Sequence, residues 1–225
     1  MLVISLLSLL VAIPLSSSNI STVQLTRVTS IAFFFAAALS FNVFYVTTIG
    51  SGVSLYSGLF HVSTVSLAVE FFIFLIGGII LLPSLGENRF SGDNKSTIAE
   101  YSLIIVFTTI GASFLVSSSD LVSLYLSIEL QSFAVYVLAA LYRNSESATA
   151  AGLKYFLLGA LSSAFILLGS SLIYGYTGLT NLDAISSLIS VTSLAITDVS
   201  IGIYLGLVIM TVGFLFKIAA APFHN

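Results

Sequence analysis

Cysteine and tryptophan are both absent from the 225 residues. Without thiols there can be no disulfide, no zinc–thiolate site and no iron–sulfur cluster held by this chain. Histidine is scarce too: His61 and His224 stand far apart, a poor basis for a haem or metal centre. Charged residues make up only 7% of the chain, against about 25% in soluble domains. A soluble fold could not cover its surface with so few, so the solvent for this chain is lipid. The net charge is −3 and the six basic residues are scattered. With no basic stripe, nucleic acid is not expected as a partner. Nucleotide-binding glycine motifs, HExxH and an aqueous Ser-His-Asp set are missing as well.

What is present is apolar: 58% of the residues, in long runs. A membrane helix needs about 20 such residues. The pattern predicts an all-α, polytopic membrane helix bundle of about seven spans, near 1–16, 28–49, 62–82, 98–117, 120–142, 150–175 and 199–222. Turn-forming stretches such as SSSNIST, GSGVSLYSG, PSLGENRFSGDNK, YRNSES and YGYTGLTN separate them. The first run, MLVISLLSLLVAIPLSSS, lacks the positive flank of a signal peptide and the arginines of a transit peptide, so it is expected to remain as a helix. The basic loop residues give an independent check. Arg27, Arg89, Lys95 and Arg143 all fall in connections on one side of a seven-span arrangement, and none falls on the other. By the positive-inside rule this places the N-terminus outside. The long connection 176–197, which carries Asp183, is expected to hold a short interfacial stretch.

Three ionisable residues interrupt the apolar runs: Glu129 in SLYLSIELQSFAVYVLAAL, Lys154 in AGLKYFLLGALSSAFILL and Lys217 in GLVIMTVGFLFKIAAAP. A charge at the bilayer centre costs at least ~2.5–3.5 kcal/mol, and such residues commonly mark ion or proton paths. Glu129 lies about 13 Å below the outer start of its span, too deep for a short side chain to reach the headgroups. It must face protein or water, either as a proton carrier or as a protonated acid bridging helices. Lys154 enters its span from the inner side, where a lysine can also stretch its stem to the interface. Lys217 sits five residues before Pro222, beside an expected helix break that suits a cavity lining. Glu70 lies among Phe71, Phe72 and Phe74 and is expected to be neutral or turned to a neighbouring subunit. His61 reads as a boundary residue and His224 as a loop residue.

IELQSFAVYVLAAL (128–141), AGLKYFLLGALSS (151–163), SLIYGYTGLTNL (171–182) and GFLFKIAAAPFH (213–224) resemble the antiporter-like membrane subunits of respiratory complex I. The likeness in letters covers 120–225, and the first 120 residues agree in hydropathy. It implies proton translocation through buried Glu and Lys with water, coupled at a distance to quinone reduction. The family's fifth-helix glutamate is matched by Glu129 and its sixth- and seventh-helix lysines by Lys154 and Lys217. Its seventh helix is broken, in keeping with Pro222. Members have about fourteen helices, built on two inverted repeats. Against that pattern, residues 1–119 hold helices 1–4, residues 120–225 hold helices 5–7, and the second repeat has no counterpart.

The resemblance further implies that this chain binds no cofactor, while the complex as a whole uses FMN, iron–sulfur clusters, NADH and ubiquinone. The expected partners are lipid, other complex I membrane subunits including sister antiporter-like ones, and a separate chain supplying the missing half. The expected location is the mitochondrial inner membrane with the N-terminus on the intermembrane-space side, or else a bacterial plasma membrane. A stand-alone cation/proton antiporter subunit and a structural membrane subunit, its charges serving only as interhelical glue, are the competing readings. An electrostatic pair of Glu129 and Lys217 is the mechanistic expectation. Counting from the helix starts, however, sets Lys217 deeper than Glu129, so the pair needs the last span to start later or tilt.

Overall fold

A computed structural model describes residues 1–15, 22–45, 52–82, 100–142, 145–192 and 198–220. The basic residues Arg89, Lys95 and Arg143, and also Pro222 and His224, lie outside the described residues. The helices are α1 (Leu2–Leu15), α2 (Thr22–Val43), α3 (Thr64–Leu81), α4 (Glu100–Ser117), α5 (Leu121–Ala139), α6 (Glu146–Thr177), α7 (Leu182–Thr192) and α8 (Asp198–Lys217). Six of them are long and apolar enough to cross a membrane: α2, α3, α4, α5, α6 and α8. The fold is a polytopic membrane helix bundle, with six such helices where the sequence pattern suggested seven. The difference is α1, whose 14 residues rise only about 21 Å, short of a core about 30 Å thick. α7, with 11 residues, is the short stretch expected in the 176–197 connection.

Two element boundaries depart from the sequence reading. α2 begins at Thr22, ahead of Arg27, which lies exposed in its second turn. An arginine so near a helix end can extend its head to the interface, so it need not stop the helix. The connection GSGVSLYSG, read as a plain breaker, holds a hairpin of β1 (Val53–Leu55) and β2 (Phe60–Val62), with Ser54 opposite His61. Its tight turn puts Tyr56, Ser57 and Gly58 all at positive φ. His61 belongs to this hairpin, and its ring covers Gly52, leaving no room for a side chain there.

The core falls into two clusters. α1 to α4 bury Leu2, Leu6, Leu9, Phe33, Phe74, Leu81, Val106 and Ile110 together. α5 to α8 bury Leu121, Ile166, Ile173, Ile185 and Met210. α4 and α5 join them at close range, since a Cβ on Gly111 would come within 2.7 Å of the Gln131 nitrogen. Small residues at such crossings let helix backbones approach in lipid.

One end of the bundle is tied together by hydrogen bonds. The Ser119 hydroxyl donates to Gly58 O (2.6 Å) and the Ser123 hydroxyl to Leu59 O (2.7 Å). The Leu121 amide donates to Thr180 O (2.9 Å), and the Leu182 amide to Ser119 O (3.0 Å). The hairpin turn, the α4–α5 connection and the α6–α7 connection therefore share one knot. Asp120 caps α5 there, accepting from the Val122 amide at 2.8 Å. This knot fixes where α5 starts, and so how deep Glu129 sits.

Candidate functional site: a buried ion pair

Glu129, Ser132 and Tyr136 follow the i, i+3, i+7 spacing that gathers side chains on one face of a helix. On α5 that face meets α6, where Ser163 is buried and donates its hydroxyl to Glu129 Oε1. Tyr136 covers Gly159, and a Cβ at that glycine would overlap the Tyr136 ring and hydroxyl. The Ser162 hydroxyl donates to Gly159 O at 2.7 Å. That carbonyl is thus already served, which leaves the Ser163 proton for the carboxylate. Ser163 also lies 3.0 Å from the same carbonyl, a second acceptor when Glu129 moves away.

Lys217 comes from α8. Its Nζ donates to Glu129 Oε1 at 3.2 Å and to Ser132 Oγ at 2.7 Å. The Ser132 hydroxyl in turn donates to Ile128 O at 2.7 Å. Its proton is committed, so Ser132 offers the amine only a lone pair. The two hydroxyls are complementary: a donor to the acid, an acceptor for the ammonium. Both charged side chains are mostly buried, with 15% (Lys217) and 13% (Glu129) of their surface exposed. Among the described residues this is the one ion pair. Polar contacts from three helices converge on it, which suits charges held out of water.

The seam between α6 and α8 explains how these residues meet despite their unequal distances from their helix starts. The two helices run antiparallel. Gly202 packs against Tyr176, Gly206 against Ile173, Gly169 against Met210, and Gly213 against Ile166 and the Ser162 carbonyl. Each step down α8 matches a step back along α6, so Lys217 arrives level with Ser162 and Ser163. α8 begins beside the far end of α6 and runs back along it, which brings Lys217 beside Ser163 and Glu129.

α8 ends at Lys217 in a Schellman motif. The Ala220 amide donates to Leu215 O (3.0 Å) and the Ala219 amide to Phe216 O (3.1 Å), with Ala219 at φ 54°. Glycine usually fills this left-handed position; alanine there is strained by roughly 1–2 kcal/mol. The helix thus stops five residues ahead of Pro222. The carbonyl end of α8, with its partial negative charge, lies beside the ammonium and favours it. A cavity of about 460 Å³ opens here, lined by Gln131, Ser132, Tyr136, Tyr155, Ser162 and Lys217 among others.

Of the residues singled out from the sequence, Glu129 and Lys217 are brought together. Lys154 is not: it lies exposed on α6, nine residues or about 14 Å along the helix from Ser163. Glu70 lies in the other cluster, on α3. The sequence reading gave Ser132 and Ser163 no role. The spacing of Ser132 from Glu129 was a usable signal. Nothing local in the sequence ties Ser163 to Glu129, 34 positions away.

Known proteins bear directly on this arrangement. The family described as NADH:quinone oxidoreductase/Mrp antiporter, transmembrane, matches residues 118–225. NADH-ubiquinone oxidoreductase chain 2 of Rhizopus oryzae is 47% identical over 239 aligned positions, covering all of this chain and 45% of that protein. NADH-quinone oxidoreductase subunit N 1 of Rhizobium meliloti (strain 1021) is 44% identical over 151, covering 67% of this chain and 30% of that protein. A chain in the structure of respiratory complex I from Thermus thermophilus with bound aureothin superposes with a TM-score of 0.72 at 26% identity, covering 100% of this chain and 45% of that one. The chain spans less than half the length of these relatives. The match reaches from the α4–α5 connection through the ion pair and α8, and the full-length identity carries it over the first four helices. Over its whole length the chain is similar to antiporter-like membrane subunits of respiratory complex I, and residues 118–225 carry the transmembrane family shared with Mrp antiporters.

Proposed function

We propose that this chain is a proton-translocating membrane subunit of an NADH:ubiquinone oxidoreductase, with Glu129 and Lys217 as its working pair. The observation that carries the reading is an ion pair buried among membrane helices and bordered by a cavity whose lining includes Gln131, Ser132, Tyr136 and Ser162. At 3.2 Å and an effective dielectric near 20, the two charges attract by about 5 kcal/mol. While the carboxylate is close, the ammonium keeps its proton. Once Glu129 is withdrawn or neutralised, burial disfavours the bare ammonium and the proton leaves through the cavity. Ser163 can then turn to Gly159 O, so the acid departs without leaving a buried hydroxyl unpaired. Lys154 links the pair to the inner face. Neither electron transfer nor quinone chemistry occurs in this chain. Its cofactor-bearing partners supply FMN, iron–sulfur clusters and the NADH and ubiquinone sites, and the driving force reaches the pair through neighbouring membrane subunits.

Several finer points belong to the same proposal. The N-terminus lies outside, and the last membrane helix is broken near Pro222. Residues 1–119 brace residues 120–225, which carry the proton path. The membrane is the mitochondrial inner membrane, and sister antiporter-like subunits lie alongside.

The test is Glu129→Gln in the assembled complex, with NADH-driven proton uptake measured in sealed vesicles. Fewer protons per NADH is the expected result. An unchanged stoichiometry removes Glu129 from the path. The family description also names Mrp antiporters, which keeps one alternative in play: a cation/proton antiporter subunit would exchange sodium for protons in vesicles with no NADH dehydrogenase partners.

A further inference from the structure

Glu70 has no part in the pair described above, yet it too sits within a membrane helix. It lies six residues into α3, about 9 Å below the helix start. It lines a groove of about 280 Å³ between the N-terminal residues 1–3 and the helices α2, α3 and α4. Among the described residues it has no ion pair within 4 Å and no hydrogen bond. The other polar side chains on the groove are Ser40 and Ser113. Each is turned away as a donor: Ser40 donates to Ala37 O (2.9 Å) and Ser113 to Ile110 O (2.9 Å). Their oxygens offer only lone pairs. Met1, just ahead of α1, shares this lining and makes no ion pair with Glu70. The facing stretches of α2 and α4, 30–43 and 104–117, contain no charged residue.

Glu70 is half-buried, and an ionised carboxylate in such a groove finds no donor among the described residues; taking an unpaired charge even partly out of water is disfavoured. A carboxylic acid is well matched, because its O–H can donate to either serine oxygen. We propose that Glu70 holds a proton, as a proton-binding site of the α1–α4 half distinct from the Glu129–Lys217 pair. The same lone-pair lining would also suit a sodium ion beside a carboxylate, and the test must separate the two.

Hydrophobic carbodiimides do so. The carboxyl O–H adds across one C=N bond: its proton goes to nitrogen, its oxygen bonds the central carbon, and no group leaves. Acyl migration to nitrogen then gives a stable N-acylurea. A carboxylate lacks the proton this addition uses. Native membranes holding the complete complex are treated with dicyclohexylcarbodiimide, in sodium-free and in sodium-containing medium, and the adducts are located by peptide mass spectrometry. The expected result is an adduct on Glu70 in both media, lost in Glu70→Gln. No adduct on Glu70 while other carboxyls in the sample react overturns the proposal. Protection by sodium overturns it in favour of a cation site. Should Glu70→Gln fail to assemble, the adduct mapped on the wild-type protein still decides. Proton pumping and Glu129 do not enter the readout, so the outcome is independent of the function proposed for the pair.

Discussion

Glu70 and Glu129 occupy helices of nearly equal length, 18 and 19 residues, in one bundle. Glu129 has a hydroxyl donor from α6 and an ammonium from α8. Glu70 faces two serines that have already spent their protons on their own helices. A membrane carboxyl therefore gets its character from what the adjoining helices present, not from its depth or its apolar neighbours in sequence. On the roles proposed above, the glutamate with partners switches with its surroundings and the solitary one keeps its proton.

Breaking the pair on one side is the sharpest test of this contrast. Lys217→Met leaves Glu129 buried without its cation, and removing one partner of such a pair costs about 3–5 kcal/mol. We expect less assembled complex on native gels and no pumping assigned to this subunit. Glu129→Gln combined with Lys217→Met should restore assembly but not pumping. Next in size is Ser163→Ala. It removes a hydrogen bond to a charged group, worth about 1.5–3 kcal/mol, and should slow proton uptake while Ser163→Thr retains it. Gly169→Ala comes third. The new methyl would meet Gly206 O at 2.7 Å, and crowding of this kind costs about 1–3 kcal/mol. A lower melting temperature of the complex is the readout. The smallest effect is expected for Ala219→Gly, which relieves about 1 kcal/mol of left-handed strain and should raise the thermal stability of the complex.

Long apolar runs made most spans legible from the sequence, because lipid tolerates little else at such length. Glu129 and Lys217 stood out for the same reason: a charge in an apolar run is conspicuous. Less visible was the end of α8, since Pro222 suggested a break while the helix stops at Lys217 through Ala219. Alanine carries no sign of a left-handed backbone, which is set by the Schellman hydrogen bonds. The hairpin was hidden likewise, because Tyr56 and Ser57 adopt positive φ only under the closure of their turn. Ser163 escaped notice because only the α5–α6 packing makes it a ligand of the acid. The meeting of Glu129 and Lys217 was hidden because it depends on the antiparallel register of α6 and α8, which glycine contacts between distant positions set.

The hydrogen bonds that gather the hairpin turn, Ser119, Thr180 and Leu182 also bear on how α5 can move. They clamp one tip of that rod and leave the opposite tip without an equivalent clasp among the described residues. A displacement of Glu129 is then a swing about a pivot close to Leu121. The carboxyl lies about 12 Å from that pivot and Ala139 about 27 Å, so the remote tip sweeps roughly twice the arc. A neighbour pushing on α5 near Ala139 thus works with leverage, turning a broad, weak shove into a short, forceful shift at the acid.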